Sequence, residues 1–443
     1  MTYPEVLDYL LNRLPMFQRI GAAAYKANLD NIIALCNVIG NPQNNLKSIH
    51  IAGTNGKGSV THIISSILQS QGYTIGTFTS PHYIDFKERI KINGVLIEES
   101  FISSFVSEYC DDFAKIDASF FEITTAMMFA YFYERRVDYC VIETGLGGRL
   151  DSTNVITPLL SVITNISLDH TQFLGDTLTL IAGEKAGIIK QNIPVVIGET
   201  QPETKEVFKI VATRLSAAIS FADKDVTLKN VVSKVSGSEF DVLYKGNLLL
   251  ERVVTDLTGT YQQKNITTAI GAIIKLRYGG LAISDNAIIN GIANVRSNTN
   301  FIGRWMVMQQ SPLVIFDSAH NEGGLREVFA HLPQSKNLHI VFGTVSDKDV
   351  TIVLSILPKN ASYYFCKANV ARGKDAQALQ TEAAEFGLKG ESFNSVEAAL
   401  VAAKVEARTD EVVLLTGSVF VVADALDWIK ASEFLVSTCF RFS

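Results

Sequence analysis

One stretch limits the folds open to this chain more than any other. It runs from Lys47 to Gly72, K-S-I-H-I-A-G-T-N-G-K-G-S-V-T-H-I-I-S-S-I-L-Q-S-Q-G. Ser48 to Ala52 is short and apolar and reads as a buried strand. A glycine-rich turn follows, Gly53-Thr54-Asn55-Gly56-Lys57-Gly58-Ser59. Val60, Ile63, Ile64, Ile67 and Leu68 then recur at helical spacing until Gly72 stops the pattern. Strand, glycine turn and helix are the parts of a phosphate-binding loop. The glycines let backbone N–H groups converge on an anion, and the helix N-terminus adds favourable partial charge. Lys57 supplies a full positive charge for the terminal phosphates, and Ser59 a hydroxyl suited to magnesium. The spacing departs from G-x-x-x-x-G-K-[ST], because Gly58 stands between the lysine and the serine. A tight strand-to-helix turn that happens to hold a lysine is the plainer alternative. The stretch predicts a nucleotide triphosphate site without saying what the triphosphate drives.

At 443 residues the chain is too long for one ordinary core and predicts two or three domains. A hydrophobic share of 47% with 19% charged residues is that of a globular protein. A net charge of −6 argues against a general nucleic-acid-binding surface. Cys36, Cys110, Cys140, Cys366 and Cys439 are scattered, which suits a reducing compartment and offers no cysteine-based metal site. Met1-Thr-Tyr-Pro-Glu5 lacks the marks of a secretory signal, and no apolar run is long enough to span a bilayer. The expectation is a cytoplasmic protein that binds neither nucleic acid nor membrane.

In chain order, 4–14 and 28–39 predict helices, 73–78 a strand ending at Thr79-Ser80-Pro81-His82, and 98–113 and 122–135 helices. Buried strands over 137–142 and 159–163 lead into Glu143-Thr144-Gly145-Leu146-Gly147-Gly148-Arg149-Leu150-Asp151 and Asn165-Ile166-Ser167-Leu168-Asp169-His170. A helix over 178–189 and a strand over 194–197 follow. This alternation predicts an α/β, doubly wound, mostly parallel sheet. Near 219–257 valines and leucines alternate with polar residues between turn signals, the pattern of a small antiparallel sheet. Helices return over 262–277 and 284–294. Arg296 to Asn300 reads as a polar connector, and a second, smaller α/β alternation follows, with strands over 313–316, 338–342, 361–365 and 412–415. The expected division is 1–298 and 299–443.

Polar groups fall at strand ends in three places: Ser80, Glu143, and Asp169-His170. Ligands of an open parallel sheet bind beyond the carboxyl ends of its strands, where the glycine turn also lies. One hydroxyl, one carboxylate and one imidazole can therefore converge with Ser59 on a triphosphate and its magnesium. Taken singly, Glu143 reads equally as a solvated loop acid and His170 as a helix cap. Gly145 to Arg149 is an incomplete dinucleotide fingerprint. Asp317, at a later strand end, can bond a ribose or cap the helix that Gly323-Gly324 opens. Lys185 reads as a surface lysine of a helix. Arg304, in Gly303-Arg304-Trp305, is an ordinary turn residue or a phosphate contact from the second domain.

Together these residues resemble the folylpolyglutamate synthase/dihydrofolate synthase family, ATP-dependent amide-forming ligases of the Mur ligase superfamily. The resemblance spans nearly the whole chain. It rests on His50-Ile-Ala-Gly-Thr-Asn-Gly-Lys-Gly-Ser59, Thr79-Ser-Pro-His82, Glu88-Arg-Ile90, Phe121-Glu122, Glu143 to Asn154 and Leu168-Asp-His170. Glu184-Lys-Ala-Gly-Ile188, Tyr261-Gln-Gln-Lys-Asn265, Gly303-Arg304, Asp317-Ser-Ala-His-Asn321, Asp347-Lys-Asp349 and Thr416-Gly-Ser418 complete it. The interposed Gly58 is the family's own form of the loop.

The resemblance implies a central-type ATP-binding domain followed by a Rossmann-like ligase domain. It implies ATP held by Thr54, Asn55, Gly56, Lys57, Gly58 and Ser59 with Asn265, Arg304 and Asp317. Ser59, Ser80, Glu143 and His170 would serve two magnesium ions. Lys185 would be carbamylated (N-carboxylated), which reverses its plain reading as a surface residue. Lys57, Lys185, His170 and His320 would be catalytic, and Phe121, Asp151, His320 and Ser418 would touch substrate, with Asp151 on the pterin. The implied reaction joins L-glutamate to dihydropteroate, and to the γ-carboxylate of tetrahydrofolate polyglutamates, through an acyl phosphate, in a monomer. Residues 15–25 are longer than the family's short glycine-containing segment, which leaves the folate path there open. A muropeptide ligase and a nucleotide-binding ATPase without ligase activity are the competing expectations.

Overall fold

The computed structural model describes residues 1–15, 28–234, 237–333, 337–346 and 350–439, the side chains of 234 and 432–439 excepted. The segment 16–25 and the motif Asp347-Lys-Asp349 lie outside these. The chain divides into two compact units, Met1–His82 with Lys87–Phe301, and Tyr83–Phe86 with Ile302–Ser443. The short excursion at Tyr83–Phe86 was not foreseen.

The first unit is organised on β1, Ser48–Ala52, buried along its whole length. A strand covered on both faces needs an apolar run rather than an alternating one, which is why Ile49, Ile51 and Ala52 read so clearly. The other strands of its sheet are β2 (Ile75–Phe78), β3 (Ile90–Ile92), β4 (Val95–Leu96), β5 (Tyr139–Glu143), β6 (Leu160–Ile163), β7 (Val195–Ile197) and β8 (Ile219–Phe221). The order is β4-β3-β2-β5-β1-β6-β7-β8, with β3 and β4 antiparallel at one edge and the rest parallel. The register sets Ile51 beside Glu143 and Ala52 beside Ile163, so the loops after β1, β5 and β6 leave the same edge side by side. The chain runs from β1 to opposite sides of it, and such a switch point is where open α/β sheets bind ligands.

The helix Lys57–Ser70 lays Val60, Ile63, Ile64 and Ile67 on β1 and its neighbours. The same core takes Phe240, Val242 and Val253 from a three-stranded antiparallel sheet, β9 (Val226–Lys234), β10 (Gly237–Tyr244) and β11 (Asn247–Thr255), with Ile266, Ile270 and Ile273 of the helix Tyr261–Tyr278. The antiparallel sheet is thus shorter than the expected 219–257, since Ile219–Phe221 joins the parallel sheet as β8. Arg296 to Asn300 is no connector either. Val295–Thr299 is a helical turn, because the Asp256 carboxylate accepts the Val295 and Arg296 amides (3.2 and 2.8 Å) while Lys91 Nζ donates to the Thr299 and Asn300 carbonyls (both 3.1 Å). Both caps come from distant chain, so the polar sequence gave no sign of them.

The second unit holds β12 (Met306–Gln310), β13 (Leu313–Phe316), β14 (Leu338–Phe342), β15 (Ser362–Cys366), β16 (Lys389–Phe393) and β17 (Val412–Thr416). Their order is β12-β13-β17-β14-β15-β16, parallel except for β12. Of the strands absent from the sequence reading, β4, β12 and β16 are sheet edges with few buried residues, and β3, which pairs with β4, is only three residues long. Among the described residues, no helix is long and apolar enough to cross a membrane.

Candidate active site

The loop after β1 has the shape its glycines require. Gly53 has φ +148° and Gly56 φ +83°. A Cβ on Gly53 would collide with Thr164, and one on Gly56 with Asn265 Oδ1. Asn265, on the helix Tyr261–Tyr278, therefore lies against the loop. The neighbouring β6 loop carries much of the shape. The Thr54 amide donates to the Asn165 carbonyl (2.9 Å), the Asn55 amide to Asn165 Oδ1 (2.9 Å), and Thr164 Oγ1 to the Asn55 carbonyl (2.6 Å). Thr54 Oγ1 accepts the Ser167 amide (3.0 Å). Thr164 and Asn165 were not singled out from sequence; their only signal is their place at the end of a buried strand.

The first bond of the helix Lys57–Ser70 runs from the Val60 amide to the Gly56 carbonyl (2.9 Å), so the amides of Lys57, Gly58 and Ser59 precede the intrahelical ladder. Lys57 Nζ folds back to the Thr54 carbonyl (3.1 Å). An anion seated there meets a helix N-terminus and an ammonium together.

Glu143, at the end of β5, is 3% exposed. Its Oε2 accepts the Ser80 amide (3.1 Å) and lies where a Cβ on Gly58 would stand 3.6 Å away. The structure thus joins Glu143, Ser80 and the Gly58-Ser59 corner. His170 is on the β6 loop at φ +50°, capping Thr171–Leu174, with its amide on Asp169 Oδ1 (3.0 Å). Among the described residues there is no cluster of three or more His, Cys, Asp or Glu of the kind that cages a metal. One buried carboxylate with hydroxyls beside a phosphate loop fits magnesium, which is bound by few protein oxygens together with water and substrate phosphate.

The two glycine-containing motifs Glu143–Asn154 and Glu184–Ile188 are packed on each other. A Cβ on Gly187 would collide with Arg149, the Arg149 amide donates to the Glu184 carbonyl (2.8 Å), and Asn154 Nδ2 donates to the Arg149 and Gly187 carbonyls (3.0 and 3.1 Å). Gly145 lies on the Phe121 ring, which a Cβ there would strike. Asp151 is buried and accepts the Leu146 amide (2.7 Å) and the Thr153 amide (3.0 Å); burial raises its pKa while these bonds oppose the rise. Lys185 is buried rather than on the surface, and its Nζ donates to the Gly53 carbonyl (2.8 Å). Burial, then the nearby Lys57 charge, brings its pKa down to about 7, with Asp169 and Asp151 pulling the other way. A buried Arg89, over the Phe120 ring at 5.0 Å, donates Nε to His82 Nδ1 (2.7 Å) and steadies the loop that carries Ser80.

In the second unit, Asp317 ends β13 and is 2% exposed. Its carboxylate accepts the Trp305 amide (2.9 Å) and the Ala319 amide (2.9 Å), so it shapes both its own loop and the Gly303–Trp305 turn that carries Arg304. Arg304 Nη1 donates to Tyr83 Oη (2.7 Å), another contact not foreseen. The Ala319 carbonyl accepts the Gly417 amide (3.0 Å) and Thr416 Oγ1 (3.2 Å), which brings the His320 and Ser418 loops together. His320 Nδ1 is 3.0 Å from the Ser318 carbonyl, and Ser418 Oγ accepts the Phe420 amide (3.1 Å).

Comparison with known proteins adds to this geometry. Residues 51–273 match the Mur ligase middle domain, and residues 303–419 the Mur ligase glutamate ligase domain. The dihydrofolate synthase/folylpolyglutamate synthase of Bacillus subtilis is 36% identical over 413 residues, 90% of this chain and 94% of that protein. The solved structure of Escherichia coli FolC in complex with DHPP and ADP superposes with a TM-score of 0.83 at 30% identity, covering 98% of this chain and 99% of that one. Mycobacterium tuberculosis folylpolyglutamate synthase complexed with ADP and AMPPCP gives the same TM-score at 30% identity, covering 96% and 98%. A cradle of loop amides and lysine beside a buried glutamate, with both domain matches and relatives of full length, places the chain in the dihydrofolate synthase/folylpolyglutamate synthase family of Mur ligases.

Proposed function

We propose that this chain is an ATP-dependent amide ligase that joins L-glutamate to dihydropteroate and to the γ-carboxylate of tetrahydrofolate polyglutamates. The observation that carries the reading is the cradle: Gly53 and Gly56 at positive φ, Lys57 on the Thr54 carbonyl, and Glu143 beside Gly58. A carboxylate does not acylate an amine because oxide is a poor leaving group. Transfer of the γ-phosphoryl group of ATP makes an acyl phosphate and ADP; the α-amine of glutamate then attacks, and phosphate leaves. The enzyme's share in phosphoryl transfer is positioning and charge neutralisation.

In this reading the amides and side chains of Thr54 to Ser59 hold the triphosphate, with Asn265, Arg304 and Asp317 as further nucleotide contacts. Lys57 offsets charge on the transferring group. Ser59, Ser80, Glu143 and His170 would hold two magnesium ions, which would neutralise phosphate charge. Lys185, as its neutral amine, would add to CO₂ with release of one proton, and the carbamate oxygens would then serve as an anionic ligand near the metal. Phe121 contacts the substrate, Asp151 the pterin, and His320 and Ser418 the incoming glutamate. The enzyme works as a cytoplasmic monomer. Phosphate release from ATP that requires both dihydropteroate and glutamate is the expected result. Release without either, or only with a muramyl precursor, would overturn the assignment.

A further inference from the structure

His50 opens the motif that ends in the phosphate loop, yet its imidazole turns to a different loop. It is fully buried in the middle of β1, and Nε2 lies 2.8 Å from Thr153 Oγ1, in the turn after β5. Thr153 Oγ1 is in turn 2.5 Å from Asp151 Oδ1, which also takes the Thr153 amide (3.0 Å).

The protons in this chain can be assigned. Asp151, holding two backbone N–H groups, is the acceptor. The Thr153 hydroxyl has one proton and gives it to Asp151, so it offers His50 only a lone pair. Nε2 of His50 must then carry the imidazole proton and Nδ1 is bare. Nδ1 is buried and has no hydrogen-bond partner. The other tautomer would bury an orphan N–H and set two lone pairs face to face. Burial, with the charge of Lys190 nearby, holds the ring neutral. The bonds therefore run one way, from His50 through Thr153 to Asp151.

We propose that His50 and Thr153 are positioning residues for the folate acid: they fix the Asp151 carboxylate to the central strand with Oδ1 committed to Thr153, so that Oδ2, which takes the Leu146 amide (2.7 Å), turns its second lone pair to a pterin N–H. This rests on the reading of Asp151 as the pterin contact. A hydroxyl-to-carboxylate bond is worth enough for about a ten-fold change in affinity.

Three variants and one spectrum test it. Thr153→Val keeps the shape and removes the hydroxyl; Thr153→Ser keeps the hydroxyl; Asp151→Asn tests the parent reading. Dihydropteroate binding is titrated without ATP, alongside the KM for ATP. Thr153→Val should weaken dihydropteroate binding about ten-fold while the KM for ATP stays within about two-fold, and Thr153→Ser should restore it. If Asp151→Asn weakens binding and Thr153→Val does not, the relay is wrong and the pterin contact stands. If Asp151→Asn leaves binding unchanged, the pterin contact itself fails. Equal loss of pterin and ATP binding in both threonine variants would mark a merely structural role and overturn the proposal. The ¹⁵N spectrum of histidine-labelled enzyme needs no variant: a neutral Nε2–H ring for His50 is expected, and an Nδ1–H ring would overturn the relay.

Discussion

The two parallel sheets both end in polar loops held by neighbouring segments, but the loops differ in what their own side chains do. In the first unit the Gly53–Ser59 loop is shaped by its neighbours. Thr164, Asn165, Ser167 and Lys185 bond its backbone or Thr54, and its helix-entry amides stay outside the intrahelical ladder. In the second unit the Asp317–Asn321 loop is also bonded from outside, by the Trp305 and Gly417 amides and Thr416 Oγ1, but its own side chains add internal bonds. Asp317 takes the Ala319 amide, and Asn321 caps its own helix through the Gly324 amide (2.9 Å). An anion cradle works through its backbone, so its form must be held from outside. A loop that presents side chains can use its own backbone groups for internal bonds.

The sharpest way to break this contrast is Lys57→Ala. Removing the cation from a preformed cradle should cut turnover by about 10³-fold or more with the fold intact by circular dichroism. A rate within ten-fold of the unaltered enzyme would take Lys57 out of the mechanism. Next in size is the pH effect of Lys185. With a pKa of about 7 in the fold, its neutral amine falls about ten-fold per unit below that pH, and carbamylation with it. Turnover at fixed dissolved CO₂ should fall alike, and a flat profile down to pH 5.5 would remove the carbamate. The sign for stability follows from the same depression. The unfolded chain binds more protons between about 7 and the ordinary 10.5, so this group's contribution to stability rises with pH across that window.

Asp317→Asn probes the second loop. The amide cannot reproduce both accepted bonds, and the KM for ATP should rise about ten-fold with a smaller change in kcat. A fall in kcat like that of Lys57→Ala would erase the distinction between the loops. The smallest effect belongs to Glu411→Gln, just before β17. Glu411 takes the Arg408 amide (2.9 Å), His339 Nε2 (3.0 Å) and Asn337 Nδ2 (2.6 Å), bonds that hold its carboxyl down at about 2. Its stabilising share is present above the ordinary 4.5 and is lost as pH falls through about 2. Melting at pH 7 should drop by a few degrees, with kinetics unchanged and the difference from the unaltered enzyme vanishing in acid.

Buried strands and the loops at their ends were legible because both signals are local. Ser48–Ala52 is short and rich in isoleucine and alanine, and the glycine turn after it has few other uses. Lys185 was misread from its residue type alone. Nothing near Ala182 or Ala186 shows that its ammonium will meet the Gly53 carbonyl, and only the family resemblance moved it. Edge strands such as Met306–Gln310 and Lys389–Phe393 were missed because exposure dilutes the apolar pattern.

The sequence by itself determined the alternation of buried strands and helices, the phosphate loop and the family, since periodicity, glycine placement and motif order survive without coordinates. Tertiary structure decided which distant groups meet: Asn265 against Gly56, Thr164 on the Asn55 carbonyl, His50 on Thr153, and Asp256 and Lys91 at the two ends of the helix Val295–Thr299. Each of those bonds joins residues far apart in the chain. Their strength depends on burial that only the packed sheets supply.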